Sequence, residues 1–300
     1  MDIYGNTKKI NMENLQIQLF DIYQTPSNED IQSGKNFVLR RESAANGLAS
    51  LIDSMLADAA ANITQIAFRY GVKPTEFQIS TIYNPSMFNE ISQVLDELED
   101  EIIDLTESYS LKCTKDEKKK LWLLPWILAL GKGSKGLRRT LEDRLWIFSR
   151  DLEAMIAAAA NANMNQTKAV SVIRSNIHTA YNMPGMQAAF ANASLFKAQY
   201  IRTRGVKKGK KGQSNSEANN IHRFAKTTLQ MAWMHYHHKL YEEQGAAGYI
   251  CFRGSTFPCL ECDSICGVFH PIEEGMVLPV HANCACYAVP VFLQEEYSNK

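Results

Sequence analysis

Five of the seven cysteines in this 300-residue chain fall between Cys259 and Cys286, with His270 and His281 among them. Cys259-Leu-Glu-Cys262 is a Cys-x-x-Cys turn, and His281-Ala-Asn-Cys284-Ala-Cys286 follows about twenty residues later. Each short motif can present two sulfur or imidazole donors to one ion. The chain between them is long enough to bring them together. Clustered cysteines in a reducing cytosol more often mark a metal site than disulfides. An odd total of seven also fits poorly with a fully paired framework.

Everything before this segment has the character of helices. Hydrophobic residues make up 45% of the chain, which suits one large globular domain or two smaller ones. Lys+Arg and Asp+Glu both number 32, so no global field favours nucleic acid or a membrane surface. Met1-Asp2-Ile3-Tyr4 lacks a basic region followed by an apolar run, so a secretory leader is not expected. No apolar stretch reaches the roughly 18 residues that span a bilayer. Leu121 to Leu130 is the nearest candidate, and Pro125 interrupts it. A cytosolic protein with no membrane partner is the expectation.

Residues 1–42 have the polar composition of an N-terminal arm, with a helical body over 43–201. Within the body, Leu48, Leu51, Ile52, Met55, Leu56, Ala59, Ile63, Ile66 and Ala67 form one stripe from Ser43 to Tyr70. Phe77 to Tyr83 suggests a short extended segment. Ser86 suggests the N-cap of a helix reaching about Tyr109, with an acidic solvated face. Further helices are expected over Lys115–Leu130, Leu137–Asn163, Gln166–Tyr181 and Met186–Ile201, with Gly131–Gly136 as a hinge. Residues 202–216 form a basic, glycine-bearing linker, and 217–247 one long helix. From 248 to 300 the chain turns short, aromatic and β-branched, with small strands expected around Tyr249–Arg253, Val268–His270 and Tyr287–Phe292. The expected fold is mainly α, an elongated helical body carrying a small zinc-stabilised, β-rich C-terminal module.

Tetrahedral zinc takes four ligands, and Cys259, Cys262, His281, Cys284 and Cys286 compete for those places. The spacing alone does not choose among them. Such a site would be structural, because protein donors can fill every position. The cysteines could instead be buried small hydrophobes, or disulfide partners in an oxidising setting. Cys113 and Cys251 fit ordinary core positions, and Cys266 and His270 fit structural or supporting ones. His235, His237 and His238 share a helix with no metalloprotease Glu between them and fit surface and core. His178 and His222 stand isolated. Arg202, Arg204, Lys207, Lys208, Lys210 and Lys211 concentrate positive charge. They could follow DNA phosphates without base specificity, or form only a solvated linker.

Thr256-Phe-Pro-Cys259-Leu-Glu-Cys262, Gly267-Val-Phe269-His-Pro271-Ile272, Leu278-Pro279-Val-His281-Ala-Asn283-Cys284-Ala-Cys286 and Val289-Pro290 together resemble the C-terminal signature of the Mu F-like minor head proteins. These are head morphogenesis proteins of tailed bacteriophages. Ala282 stands where that family usually has Pro, Ala285 where it usually has Arg, and Cys266 is an addition. The resemblance implies a non-enzymatic minor capsid protein, present in few copies per head. It would associate with portal, scaffold or capsid proteins at the portal vertex and contact packaged double-stranded DNA. Its place would be the virion, after assembly in the bacterial host cytoplasm. The alternative is a zinc-containing HNH-like nuclease acting on DNA, since those folds also use Cys-x-x-Cys and His-x-x-Cys turns. His270, His281 and Asn283 do not build its catalytic centre well.

Overall fold

A computed structural model of the chain describes residues 23–74, 76–131, 135–183, 216–281 and 283–294. The protein is mainly helical, with a small antiparallel sheet near the C-terminus. It divides into two compact units. One comprises Ala44–Ala232; the other joins Met1–Ser43 to Trp233–Lys300.

The first helix, α1, runs from Asn28 to Tyr70 and so begins well inside the stretch whose composition suggested a polar arm. The reason is packing. Gly34, Phe37, Val38 and Arg41 are buried at helical spacing, although two of the four are not apolar. Further along, Leu48, Ile52, Leu56, Ile63 and Ala67 are fully buried, as the periodicity predicts. Leu51, assigned to the same stripe, is exposed.

In the Ala44–Ala232 unit, α2 (Pro85–Ser110) packs on α4 (Gly136–Asn161), as do α3 (Glu117–Ala129) and α5 (Gln166–Asn176). The cap of α2 is Asn84, not Ser86. Its side chain accepts the Met87 N–H, and Pro85 takes the first helical turn, where a missing donor costs nothing. Residues 77–83 form turns, not an extended strand. Helix α5 gives way to a 3₁₀ segment, Ile177–Asn182, with a kink at Thr179.

Helix α4 is buried nearly all round from Phe148 to Ala159, so it forms the core of this unit. Its two buried carboxylates are matched to free backbone donors. Asp151 accepts the Glu217 N–H at the start of α6 (Glu217–Glu243), and Glu153 accepts the Ile79 N–H and an Arg150 donor. An anion at a helix N-terminus answers its orphan N–H groups. Burial pushes the Glu153 carboxyl pKa up, while Arg150 and Ile79 oppose it. The residues of the predicted helix Met186–Ile201 and of the basic linker, including Arg202, Arg204, Lys207, Lys208, Lys210 and Lys211, lie outside the described residues. No helix among the described residues is long and apolar enough to cross a membrane.

The second unit holds strands β1 (Gly248–Phe252), β2 (Phe269–Pro271) and β3 (Tyr287–Val291), in the order β2-β1-β3. All three fall where aromatic and β-branched content predicts them. Tyr249 pairs with His270 on one side and Pro290 on the other, so β1 is the central strand. The start of α1 lies against β3: Val38, Tyr287 and Val289 form a buried cluster joined by Ile31 and Phe252. Gly34 permits that approach, since a Cβ there would stand 2.8 Å from a Tyr287 ring carbon. The end of α6 completes the core. Phe37 stacks on His237 with centroids 3.9 Å apart, and Tyr241 donates to the Ala288 carbonyl at 2.8 Å.

Candidate metal centre

The two cysteine motifs leave the sheet on adjacent strands, and each is held by local hydrogen bonds. Cys259 is extended and caps a one-turn helix, α7 (Leu260–Asp263), whose first bond runs from the Asp263 N–H to the Cys259 carbonyl. The turn continues with Cys266 N–H donating to the Cys262 carbonyl at 3.0 Å and Gly267 N–H to Cys251 at 2.8 Å. Arg253 clamps the approach. Its guanidinium donates to the carbonyls of Ser255, Phe257 and Cys259 and pairs with Asp263. On the other side, the Cys284 N–H donates to the His281 carbonyl, and Asn283 turns the chain with φ 65°. That left-handed region is one Asn tolerates better than most residues.

These turns bring the predicted donors together. The His281 Nε2 lies 3.3 Å from the Cys259 Sγ and 3.2 Å from the Cys262 Sγ. The Cys262 and Cys284 sulfurs are 3.9 Å apart. A tetrahedron with metal–sulfur bonds of about 2.3 Å has sulfur–sulfur edges of about 3.8 Å, and slightly shorter edges to nitrogen. Two overlapping donor groups could hold a metal ion: Cys259, Cys262 and His281, and Cys262, Cys284 and Cys286. Cys262, Cys284 and Cys286 are buried, whereas Cys259 and His281 are partly exposed. The donor set therefore fits a soft cation, with one side open for it to enter.

The electrostatics favour such an ion. The Cys262 N–H, directed at the Cys259 sulfur, pulls that thiol's pKa down. Burial pushes Cys262 up to about 11, and the Cys286 thiol and then burial push Cys284 up. Crowded, buried thiols resist ionising together unless a cation supplies the compensating charge. One cation is built into the protein. Arg41 is fully buried, donates through Nη2 to the Cys284 carbonyl at 2.7 Å, and reaches Glu42 with the same nitrogen and Nε. Its Nη1 is buried without a hydrogen-bond partner. Burial lowers the guanidinium pKa, while Glu42 and the Cys284 and Cys286 thiols oppose that effect.

The five candidates named from sequence thus fall into these two groups, which share Cys262. Cys266 joins them, with its sulfur 3.8 Å from that of Cys286. Arg41 and Arg253 are further additions that spacing did not reveal. His270 is held by the Ile265 carbonyl at 3.0 Å and stacks on Tyr249, which agrees with a structural role. His237 is pushed down to about 3 by burial and by Arg40 and Arg41, so its ring is neutral within the core. His238 contacts the Ile272 carbonyl at 2.9 Å. His178 and His222 are not isolated; both rings turn to Asp53, at 3.5 and 3.1 Å. Cys113 and Cys251 are free thiols whose pKa values burial raises, Cys113 to about 12.

Gly254 fixes how closely the two motifs approach. A Cβ there would lie 1.8 Å from the Ala285 carbonyl oxygen, between Cys284 and Cys286. Gly254→Ala is expected to separate the motifs and to cost about 3 kcal/mol, the upper end of overpacking penalties. Thermal melting with elemental analysis of the purified variant measures both losses. A variant with parental melting temperature and metal content contradicts the assignment.

Compared with protein-family models, curated proteins and solved structures, the chain matches none of them.

Proposed function

We propose that the cysteine–histidine cluster is a structural zinc site, and that the chain is a non-enzymatic head morphogenesis protein of the Mu F-like kind. The observation that carries this reading is the meeting of the Cys259-x-x-Cys262 and His281-x-x-Cys284 motifs at metal-ligand separations. These are the motifs on which the family resemblance rests. Thiolate and imidazole donors suit zinc, and four protein ligands leave no open position for a catalytic water. In this reading the stapled module is a docking element for the portal vertex, and the helical Ala44–Ala232 unit is the body it anchors. The basic run from Arg202 to Lys211 would lie along packaged DNA. The nuclease alternative finds less support, because His270 and His281 are engaged by the Ile265 carbonyl and by the cysteine sulfurs.

The test is co-expression with the portal protein encoded in the same genome. The zinc-loaded chain is expected to co-purify with portal assemblies and to lose them after chelation. It is also expected to leave supercoiled plasmid intact in magnesium or manganese. Failure to associate with portal, or metal-dependent nicking abolished by His270→Ala, overturns the proposal.

A further inference from the structure

We propose that the cluster holds two metal ions, with Cys262 and Cys284 bridging them. Cys259 and His281 would complete the first ion's shell, and Cys266 and Cys286 the second's. This rests on the metal-site reading above and extends it from one ion to two.

The argument begins with backbone geometry. Cys262 and Cys266 stand four residues apart around a helical turn, closed by the Cys266 N–H to Cys262 carbonyl bond. That spacing puts two side chains on one face. Cys284 and Cys286 stand two apart immediately before β3, with their sulfurs within 4.8 Å of one another. The two pairs face each other. Their sulfurs are 3.9 Å apart for Cys262 and Cys284 and 3.8 Å apart for Cys266 and Cys286. Both separations equal the tetrahedral edge of about 3.8 Å derived from the zinc–sulfur bond length. Cys286 also lies within 4.8 Å of both Cys262 and Cys284. Cys262, Cys284 and Cys286 therefore frame a second group beside that of Cys259, Cys262 and His281, and Cys266 stands against its Cys286 edge.

A single ion accounts for four of these six donors and leaves two thiols packed against its shell. Two ions account for all six. A thiolate keeps further lone pairs after binding one metal, so Cys262, common to both groups, and Cys284, on the edge beside it, are chemically able to bridge. The charge balance is also favourable. Two divalent cations, five thiolates and a neutral imidazole sum to one negative charge, and the buried Arg41 guanidinium on the Cys284 carbonyl supplies one positive charge. The second site would take a soft divalent ion, zinc or cadmium, because every donor in it is sulfur.

The experiment uses the full chain loaded with zinc, or with cadmium-113, under reducing conditions. Native mass spectrometry and elemental analysis are expected to give two ions per chain, falling to one in Cys266→Ala while the circular dichroism spectrum is retained. Cadmium-113 NMR of the parent is expected to show two resonances that split each other through the shared sulfurs, a readout needing no variant. One ion per chain at saturation overturns the two-ion centre and leaves the structural site standing. No bound ion overturns both. Two ions that persist in Cys266→Ala, or two unsplit resonances, place the second ion elsewhere and overturn the bridge.

Discussion

Removal of the metal with a strong chelator is expected to unfold the sheet and both cysteine turns while the Ala44–Ala232 unit stays helical. The three strands are short, five, three and five residues, and two strands alone would be marginal in water. Between β1 and β3 the chain buries few large apolar groups; Leu278 is buried, but Phe257 and Leu260 are exposed at 81% and 90%. Each fully buried Leu or Phe contributes about 1.5–3 kcal/mol, so this segment lacks the core to order its own backbone. A structural zinc site supplies about 10–16 kcal/mol of apparent binding energy, comparable to the whole stability of a typical domain. Without the ion, the Cys262 thiol, pushed up to about 11, stays protonated at neutral pH and donates no charge to hold the turns. Hydrogen exchange read by mass spectrometry is expected to show loss of protection across Gly248–Phe252 and Tyr287–Val291 after chelation. Protection in α2 and α4 is expected to persist. Cys262→Ser is expected to reproduce the metal-free pattern. Unchanged protection of the strands after complete metal removal would show that the sheet stands without its staple.

Truncation of Arg41 is the second large effect. The side chain is wholly buried, with one hydrogen bond to the Cys284 carbonyl and two to Glu42. Glu42 is only partly buried, so the loss falls mainly on the Cys284 carbonyl, and a buried acceptor left without its donor costs about 1–3 kcal/mol. Residues that orient or charge-balance a metal ligand typically alter affinity by about 10–100-fold when lost. Arg41→Ala is therefore expected to lower the melting temperature and weaken zinc retention by that factor in competition with a chromophoric chelator. Arg41→Lys is expected to restore the charge but not the fork that reaches Cys284 and Glu42 together, and so to recover only part of the loss. A variant within about 0.5 kcal/mol of the parent, the range of ordinary surface substitutions, would remove Arg41 from the account.

Arg41 also shows where the sequence was hard to read. The beginning of α1 carries its buried face as Gly34, Phe37, Val38, Arg41 and Ala45, at helical spacing, but a glycine and an arginine at core positions disguise the stripe as polar arm. Neither residue can be assigned to a core until its tertiary partner is known. Gly34 needs the Tyr287 ring beside it, and Arg41 needs the Cys284 carbonyl. By contrast, α4 was legible to within a residue or two and α6 at its start, because long runs with regular apolar spacing overrule local ambiguity; α6 ends at Glu243, four residues before the expected 247. The N-cap of α2 went to Asn84 because Pro85 fits the first turn and cannot donate, a preference that outweighed the serine after it. Phe77 and Ile79 are both buried, and their alternation resembles a strand, yet the Ile79 N–H is spent on Glu153 and not on a neighbouring strand.

The cluster itself was legible because metal-ligand spacing is short-range. Two residues between donors define a turn whatever the rest of the chain does. Cys266 was the exception. Its relation to Cys286 depends on how the α7 turn faces the strand opposite, and only its four-residue offset from Cys262 hinted at this.

The most direct measurement is X-ray absorption at the zinc edge on the protein as purified. The account predicts a first shell dominated by sulfur at about 2.3 Å with a smaller imidazole contribution at about 2.0 Å. A shell of oxygen and nitrogen alone, or protein that folds with no bound metal, would contradict the claim that Cys259, Cys262, Cys284 and His281 converge on a shared cation.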